Sequence, residues 1–222
     1  MRRFQRYSTA RQARIAVLTL ALGFALPACS DDSTSPDNGR PDGPAEIRVD
    51  ASQSWAYVAL GDEARQVTVS NPASSTEWDI AFFGTAVMLN GGAAGPADVV
   101  AHCICANANL TDAQVGQLTA MDGLAAFEAV TAADIPSDAS AWESDALVPA
   151  LQGWYAYNPT THVVSANPDR VWKLRTADGQ SYAKLHITGL EGSTQTAMGR
   201  VTFEFAVQPG SGAAMGAAQT AT

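Results

Sequence analysis

Strict alternation near the carboxyl end of the chain most constrains its fold. Val201 to Val207 (VTFEFAV) puts Val201, Phe203, Phe205 and Val207 on one face and Thr202 and Glu204 on the other. A period of two with one wholly apolar face belongs to a strand lying on a core, not to a helix. Upstream, Val171 to Thr176 (VWKLRT) and Ser181 to Thr188 (SYAKLHIT) flank Asp178-Gly179, a pair whose tolerance of positive φ suits a hairpin. Three successive strands predict an antiparallel meander. Parity places His186 with Tyr182, Lys184 and Thr188, opposite Ala183, Leu185 and Ile187, so His186 and Glu204 are expected on solvent-facing surfaces.

Short runs of β-formers also fill the earlier part of the body. Trp55 to Leu60 and Gln66 to Ser70 read as strands about a Gly61-Asp62 turn. Glu77 to Phe83 sets Trp78, Ile80 and Phe82 on one face, and Ala86 to Asn90 ends at Asn90-Gly91-Gly92, where a tight turn is expected. The middle differs. Thr111-Asp112-Ala113-Gln114 fits a capping box ahead of a short helix lined by Leu110, Val115 and Leu118. Asp122-Gly123 is expected to break it, with a second helical piece over Leu124 to Val130 and a loop from Ser137 to Pro149 around Trp142. The expectation is one mostly β domain of antiparallel sheets over residues 46–208, with a few short helices in the middle. Residues 209–222 have almost nothing to bury and are expected to form a disordered tail.

The amino terminus carries arginines, then an apolar run of about 12 residues from Ile15 to Leu26, too short for the ~20 that span a bilayer. Leu26-Pro27-Ala28-Cys29 resembles a bacterial lipobox, which assigns residues 1–28 to a signal peptide and lipidation to Cys29. An ordinary signal peptide with an incidental cysteine is the alternative. Residues 29–45, rich in Ser, Asp, Pro and Gly, read as a flexible tether. The expected product is exported and held at a membrane by its lipid anchor only. Without the five arginines of the leader, eight basic residues face 22 acidic ones, a net charge of −14. Such a body repels phosphate backbones, so no nucleic-acid partner is expected.

His102-Cys103-Ile104-Cys105 is the most unusual tetrapeptide. Structural zinc sites favour C-x₂₋₄-C over C-x-C. On a strand the two cysteines share a face with Cα atoms ~6.6 Å apart, and His102 points away. A Cys103–Cys105 disulfide, free thiols and metal or haem ligation all stay open. Enzyme motifs are missing: there is no G-x-S-x-G, H-E-x-x-H or P-loop. Glu77 and Asp79 share a strand face without a nearby base and are expected to be solvated, so no enzyme is expected.

Several of these pieces recur together in one family. Glu77-Trp78-Asp79-Ile80-Ala81-Phe82, Asn90-Gly91-Gly92, Leu174-Arg175-Thr176-Ala177-Asp178-Gly179, Tyr182-Ala183-Lys184-Leu185 and Gly199 to Phe205, behind a lipobox, resemble the HmuY family of bacterial haem-binding lipoproteins. The resemblance implies a mostly β fold holding haem in a cleft, with histidine or methionine as axial ligands. One family histidine follows a Gly-Trp; here Gly153-Trp154 leads to His162 several residues late, and the second ligand position has no match. His162, with His102 or Met121, is therefore the expected ligand set, and Trp154, Tyr155, Tyr157 and Trp172 the aromatic residues expected to stack a porphyrin. The implied function is capture of haem or a similar flat apolar ligand for iron acquisition, at the outer membrane or cell surface, with an outer-membrane transporter as a further partner. The alternative is a lipoprotein of the same fold, without haem, acting as an interaction or structural module.

Overall fold

The computed structural model describes residues 47–61, 63–107, 109–146, 148–194 and 197–217. The leader, Cys29 and the tether lie outside the described residues. The meander predicted from alternation forms β9 (Arg170–Arg175), β10 (Tyr182–Glu191) and β11 (Arg200–Gln208). It is widened by β1 (Ile47–Asp50) beside β11 and β6 (Val100–Cys105) beside β9, in the order β1-β11-β10-β9-β6. A second sheet runs β3-β2-β4-β5, from β2 (Ala56–Leu60), β3 (Ala64–Val67), β4 (Ile80–Phe83) and β5 (Ala86–Leu89). All pairings are antiparallel.

The two sheets share one core. Val201, Phe203 and Phe205 of β11, Leu185 of β10 and Trp172 of β9 pack with Val58, Ile80, Phe82 and Leu89 of the second sheet. The Phe82 and Phe203 ring centres are 5.3 Å apart. Each such side chain contributes about 1.5–3 kcal/mol on burial. Asp79 also joins the sheets. It is buried, not solvated as expected, and accepts hydrogen bonds from Leu60 N at 2.6 Å and Ala177 N at 2.6 Å. Burial pushes its carboxyl up to about 6, against the pull of those two bonds.

The opposite face of the five-stranded sheet is covered as well, which corrects the expectation for His186 and Glu204. Parity identified which residues share that face; it could not identify what lies over it. Helix α2 (Ala120–Ala129) does, and Phe127 and Val130 form a second small core with Val171 and Ala206. Lys173, Lys184, His186, Glu204 and Gln208 are buried beneath it. Lys184 Nζ donates to Phe127 O at 2.8 Å and Val130 O at 2.9 Å, two carbonyls at the carboxyl end of the helix. Lys173 Nζ donates to Gln208 Oε1 at 2.7 Å and Thr131 O at 3.0 Å. Burial lowers both lysines, Lys173 to about 8.

Helix α1 (Asp112–Val115) begins in the expected Thr111–Gln114 capping box. The break does not fall at Asp122-Gly123. Thr119 and Asp122 form a second capping box that starts α2, and Gly123 lies within it. A Cβ at Gly123 would come within 2.7 Å of the His186 Cε1, so glycine is what lets the helix rest on the sheet. The tight turn expected at Asn90-Gly91-Gly92 is present, with Gly92 at φ +56° and Ala94 N donating to Gly91 O at 3.1 Å, and through it the chain leaves β5 for β6 in the other sheet. Buried Asn90 holds that junction, its Nδ2 donating to Trp78 O at 2.7 Å and Ser75 O at 2.9 Å.

The carboxyl end turns back as far as residue 217 and is not the loose tail expected there. Gly216 N donates to Val207 O at 2.7 Å, and Met215 packs on the second core. Residues 218–222 lie outside the described residues. Among the described residues no helix is long and apolar enough to cross a membrane.

Candidate functional site

Residues 155–166 form a separate two-stranded hairpin of β7 (Tyr155–Asn158) and β8 (Val163–Ala166). The signal was present in Tyr155-Ala156-Tyr157 and Val163-Val164, β-formers on either side of Asn158-Pro159-Thr160-Thr161. Asn158 organises the turn: its Oδ1 accepts from Thr160 N at 2.9 Å and Thr161 N at 3.1 Å, and its carbonyl from His162 N at 2.8 Å. This geometry holds His162 at φ +58°, a left-handed conformation uncommon outside glycine. Backbone strain of that kind concentrates at functional sites.

Tyr157 and His162 face each other across the turn. The Tyr157 Oη is 2.7 Å from His162 Nδ1, and both residues are exposed. Two proton arrangements satisfy this bond. If Nδ1–H donates to the phenol oxygen, Nε2 keeps a lone pair for a metal; if the phenol donates, Nε2 carries the proton. The first is the usual arrangement of a ligating histidine, whose other ring nitrogen is fixed by a hydrogen-bond partner.

Beside this pair a cleft of about 280 Å³ separates the hairpin from α1, lined by Asp112, Ala113, Gly116, Tyr157, Pro159 and Ser165. It is near the small end of ligand-binding clefts, which start at about 300 Å³. The start of α2 also lies near the end of the hairpin, since a Cβ on Gly123 would be 3.2 Å from Pro168, two residues past β8. Met121, two residues before Gly123, is 49% exposed.

The other expected site residues are placed elsewhere. Trp154 is 2% exposed and Trp172 1%, both packed in the core between the sheets, so neither offers a ring face to a ligand. The Trp154 Nε1 donates to Thr85 O at 3.0 Å. Tyr155 is half-buried edge-on against Trp154, with ring centres 5.0 Å apart. Of the four aromatic residues, only Tyr157 lines the cleft. His102 does not line it: its Nδ1 donates to Ala141 O at 2.8 Å, with the ring 6.2 Å from Trp142. Cys103 and Cys105 are joined as a disulfide, their Cα atoms 5.3 Å apart, closer than the ~6.6 Å of a regular strand. Among the described residues no group of three or more His, Cys, Asp or Glu side chains is placed to hold a metal ion.

Comparison with known proteins gives a family. The model for the HmuY protein family matches residues 51–205. No curated protein matches the chain. A crystal structure of an apo HmuY analog from Tannerella forsythia is similar at 18% identity and a TM-score of 0.39, covering 76% of this chain and 99% of that one. HmuY proteins are of a haem-binding type, a binding family and not an enzymatic one. With a family match that takes in the second sheet, the helices, the hairpin and all of the five-stranded sheet except β1 and the end of β11, this chain belongs to the HmuY family.

Proposed function

We propose that the protein captures haem, or a similarly flat apolar ligand, at the cleft between α1 and the β7–β8 hairpin, where His162 would hold the iron. The observation that carries this reading is the Tyr157–His162 hydrogen bond at 2.7 Å: Tyr157 lines the cleft, and when Nδ1–H donates to its phenol the Nε2 lone pair of the strained histidine is left for a metal. The residues present fit one ligand to the iron. Met121 is the candidate for the second, because it is exposed on the helix whose start packs near the hairpin. Bound haem would supply the iron; the chain supplies ligand orientation and the Tyr157 face for stacking. Haemin titration tests the reading. A saturable shift of the Soret band supports it, and a spectrum that stays that of free haemin overturns it.

A second reading has its own support. Trp154 and Trp172 are locked in the core and the cleft is small, which favours a domain of the same fold acting as a haem-free interaction module. Both readings share the anchor. The apolar run, the Leu26-Pro27-Ala28-Cys29 box and the tether support export, cleavage before Cys29 and lipid attachment at the outer membrane or cell surface. Delivery to an outer-membrane transporter belongs to the haem reading alone. Cys29→Ser tests the anchor: the protein should leave the membrane fraction or stay unprocessed, and unchanged partitioning overturns the assignment.

A further inference from the structure

The Cys103–Cys105 bridge lies on β6, an edge strand of the five-stranded sheet, and joins residues two apart in sequence. A ring this small constrains the unfolded chain less than any longer disulfide loop. Nor does it fasten anything otherwise loose, because β6 is laddered to β9 over its whole length, from Val100↔Arg175 to Cys105↔Arg170. Stapling is a poor account of two cysteines here.

Their surroundings point to chemistry. Both cysteines are partly exposed; Cys103 packs against the sandwich core, whereas Cys105 ends the strand beside exposed Ala106 and Asn107. Arg170, opposite Cys105 in the ladder, places Nη1 3.8 Å from Cys103 Sγ. A guanidinium at that distance favours thiolate over thiol and makes Cys103 the better leaving group of the two.

We propose that Cys103–Cys105 is a redox-active pair that exchanges with low-molecular-weight thiols. An incoming thiolate attacks the Cys105 sulfur; the bond between the cysteines breaks and its electron pair leaves on Cys103, beside Arg170. A second thiolate attacks the small-molecule sulfur of the mixed disulfide and releases Cys105. Two thiols are oxidised to one disulfide, the bridge is reduced to a dithiol, and the thiol protons pass to the cysteines or to solvent. The reverse sequence restores the bridge.

The test uses the full chain in native buffer with mixtures of reduced and oxidised glutathione. After quenching with iodoacetamide, alkylation is read by mass on the peptide spanning residues 100–107, so that Cys29 is not counted. Millimolar reduced glutathione should open the bridge without denaturant, and oxidised glutathione should close it again. The pH dependence of alkylation should place Cys103 below the ordinary thiol range of about 8.5. Arg170→Gln should slow opening by about tenfold and raise that pH dependence, while Arg170→Lys preserves both. A bridge that opens only after denaturation overturns the proposal, as does a wild-type Cys103 that alkylates like an ordinary thiol. If Arg170→Gln does not fold, these two wild-type readings decide.

Discussion

His186 and Glu204, cross-strand neighbours on β10 and β11, are hydrogen-bonded at 2.9 Å beneath α2, where they are 3% and 0% exposed. The imidazole Nδ1–H donates to the carboxylate, and the pair is sealed by Gly123 of the helix. Removing one member takes this buried hydrogen bond from the other, a change that costs about 1–3 kcal/mol. Glu204→Leu should therefore destabilise as severely as a core substitution. The double change Glu204→Leu with His186→Leu should recover much of the loss. Urea unfolding of both singles and the double provides the coupling energy. Additive losses would show that the two side chains act independently.

Gly123→Ala reverses a familiar rule. Replacing glycine inside a helix ordinarily stabilises by about 1 kcal/mol. Here the new Cβ would meet the His186 ring at 2.7 Å and Pro168 at 3.2 Å. Overpacking should dominate and the variant should lose about 1–3 kcal/mol, seen as a lower melting temperature. A melting temperature at or above that of the wild type would mean that α2 does not sit on the sheet as described.

Lys184 fastens the same helix from below through Phe127 O and Val130 O, with its Nζ 4.3 Å from the Phe127 ring centre. Lys184→Met keeps most of the packing volume but removes both hydrogen bonds to the end of the helix, at about 1–3 kcal/mol. Amide hydrogen exchange should speed up in α2 and stay unchanged in β2 and β4. Uniform acceleration across both sheets would instead indicate global destabilisation.

The contrast between these elements shows what the sequence makes legible. Alternation over Val201–Val207 and the Asp178-Gly179 turn are local signals, and β9, β10 and β11 follow from them. So does the Thr111–Gln114 cap of α1. The layer over the five-stranded sheet is not local. Lys184, His186 and Glu204 read as a polar face because nothing in their own strands reveals that α2 supplies carbonyl acceptors and an apolar cover. Asp122-Gly123 misled for the same reason: glycine was read as a helix breaker, while tertiary packing uses it for close approach. The family resemblance singles out His162 by its place after Gly153-Trp154, and the structure sets it in the β7–β8 turn against Tyr157. Tyr157 is expected from sequence only as a stacking ring, because residue order does not reveal a hydrogen bond across the turn to His162.

Asp79 predicts a pH dependence. Its folded pKa is raised to about 6 from 3.8, so the folded state holds the proton more tightly than the unfolded one. The stabilisation from this group is present in full below pH 3.8 and is lost as pH rises through about 6, a difference on the order of 3 kcal/mol. Asp50, Asp122, Asp134, Asp138 and Asp178 are lowered and act in the opposite sense, so the comparison needs an isosteric control. Relative to Asp79→Asn, the wild type should gain stability as pH falls from 7.5 to about 4.5, measured by urea midpoints. A constant difference would place the Asp79 carboxyl in its ordinary range.

The haem reading rests on one ring nitrogen, and the most direct test is haemin titration of wild type, His162→Ala and Tyr157→Phe in parallel, followed in the Soret region. The account predicts saturable binding to the wild type, loss or displacement of the Soret band in His162→Ala, and about tenfold weaker binding in Tyr157→Phe, whose imidazole lacks its orienting partner. His162→Ala titrating like the wild type would contradict the ligand assignment, and a wild type that leaves the spectrum of free haemin unchanged would contradict haem capture itself.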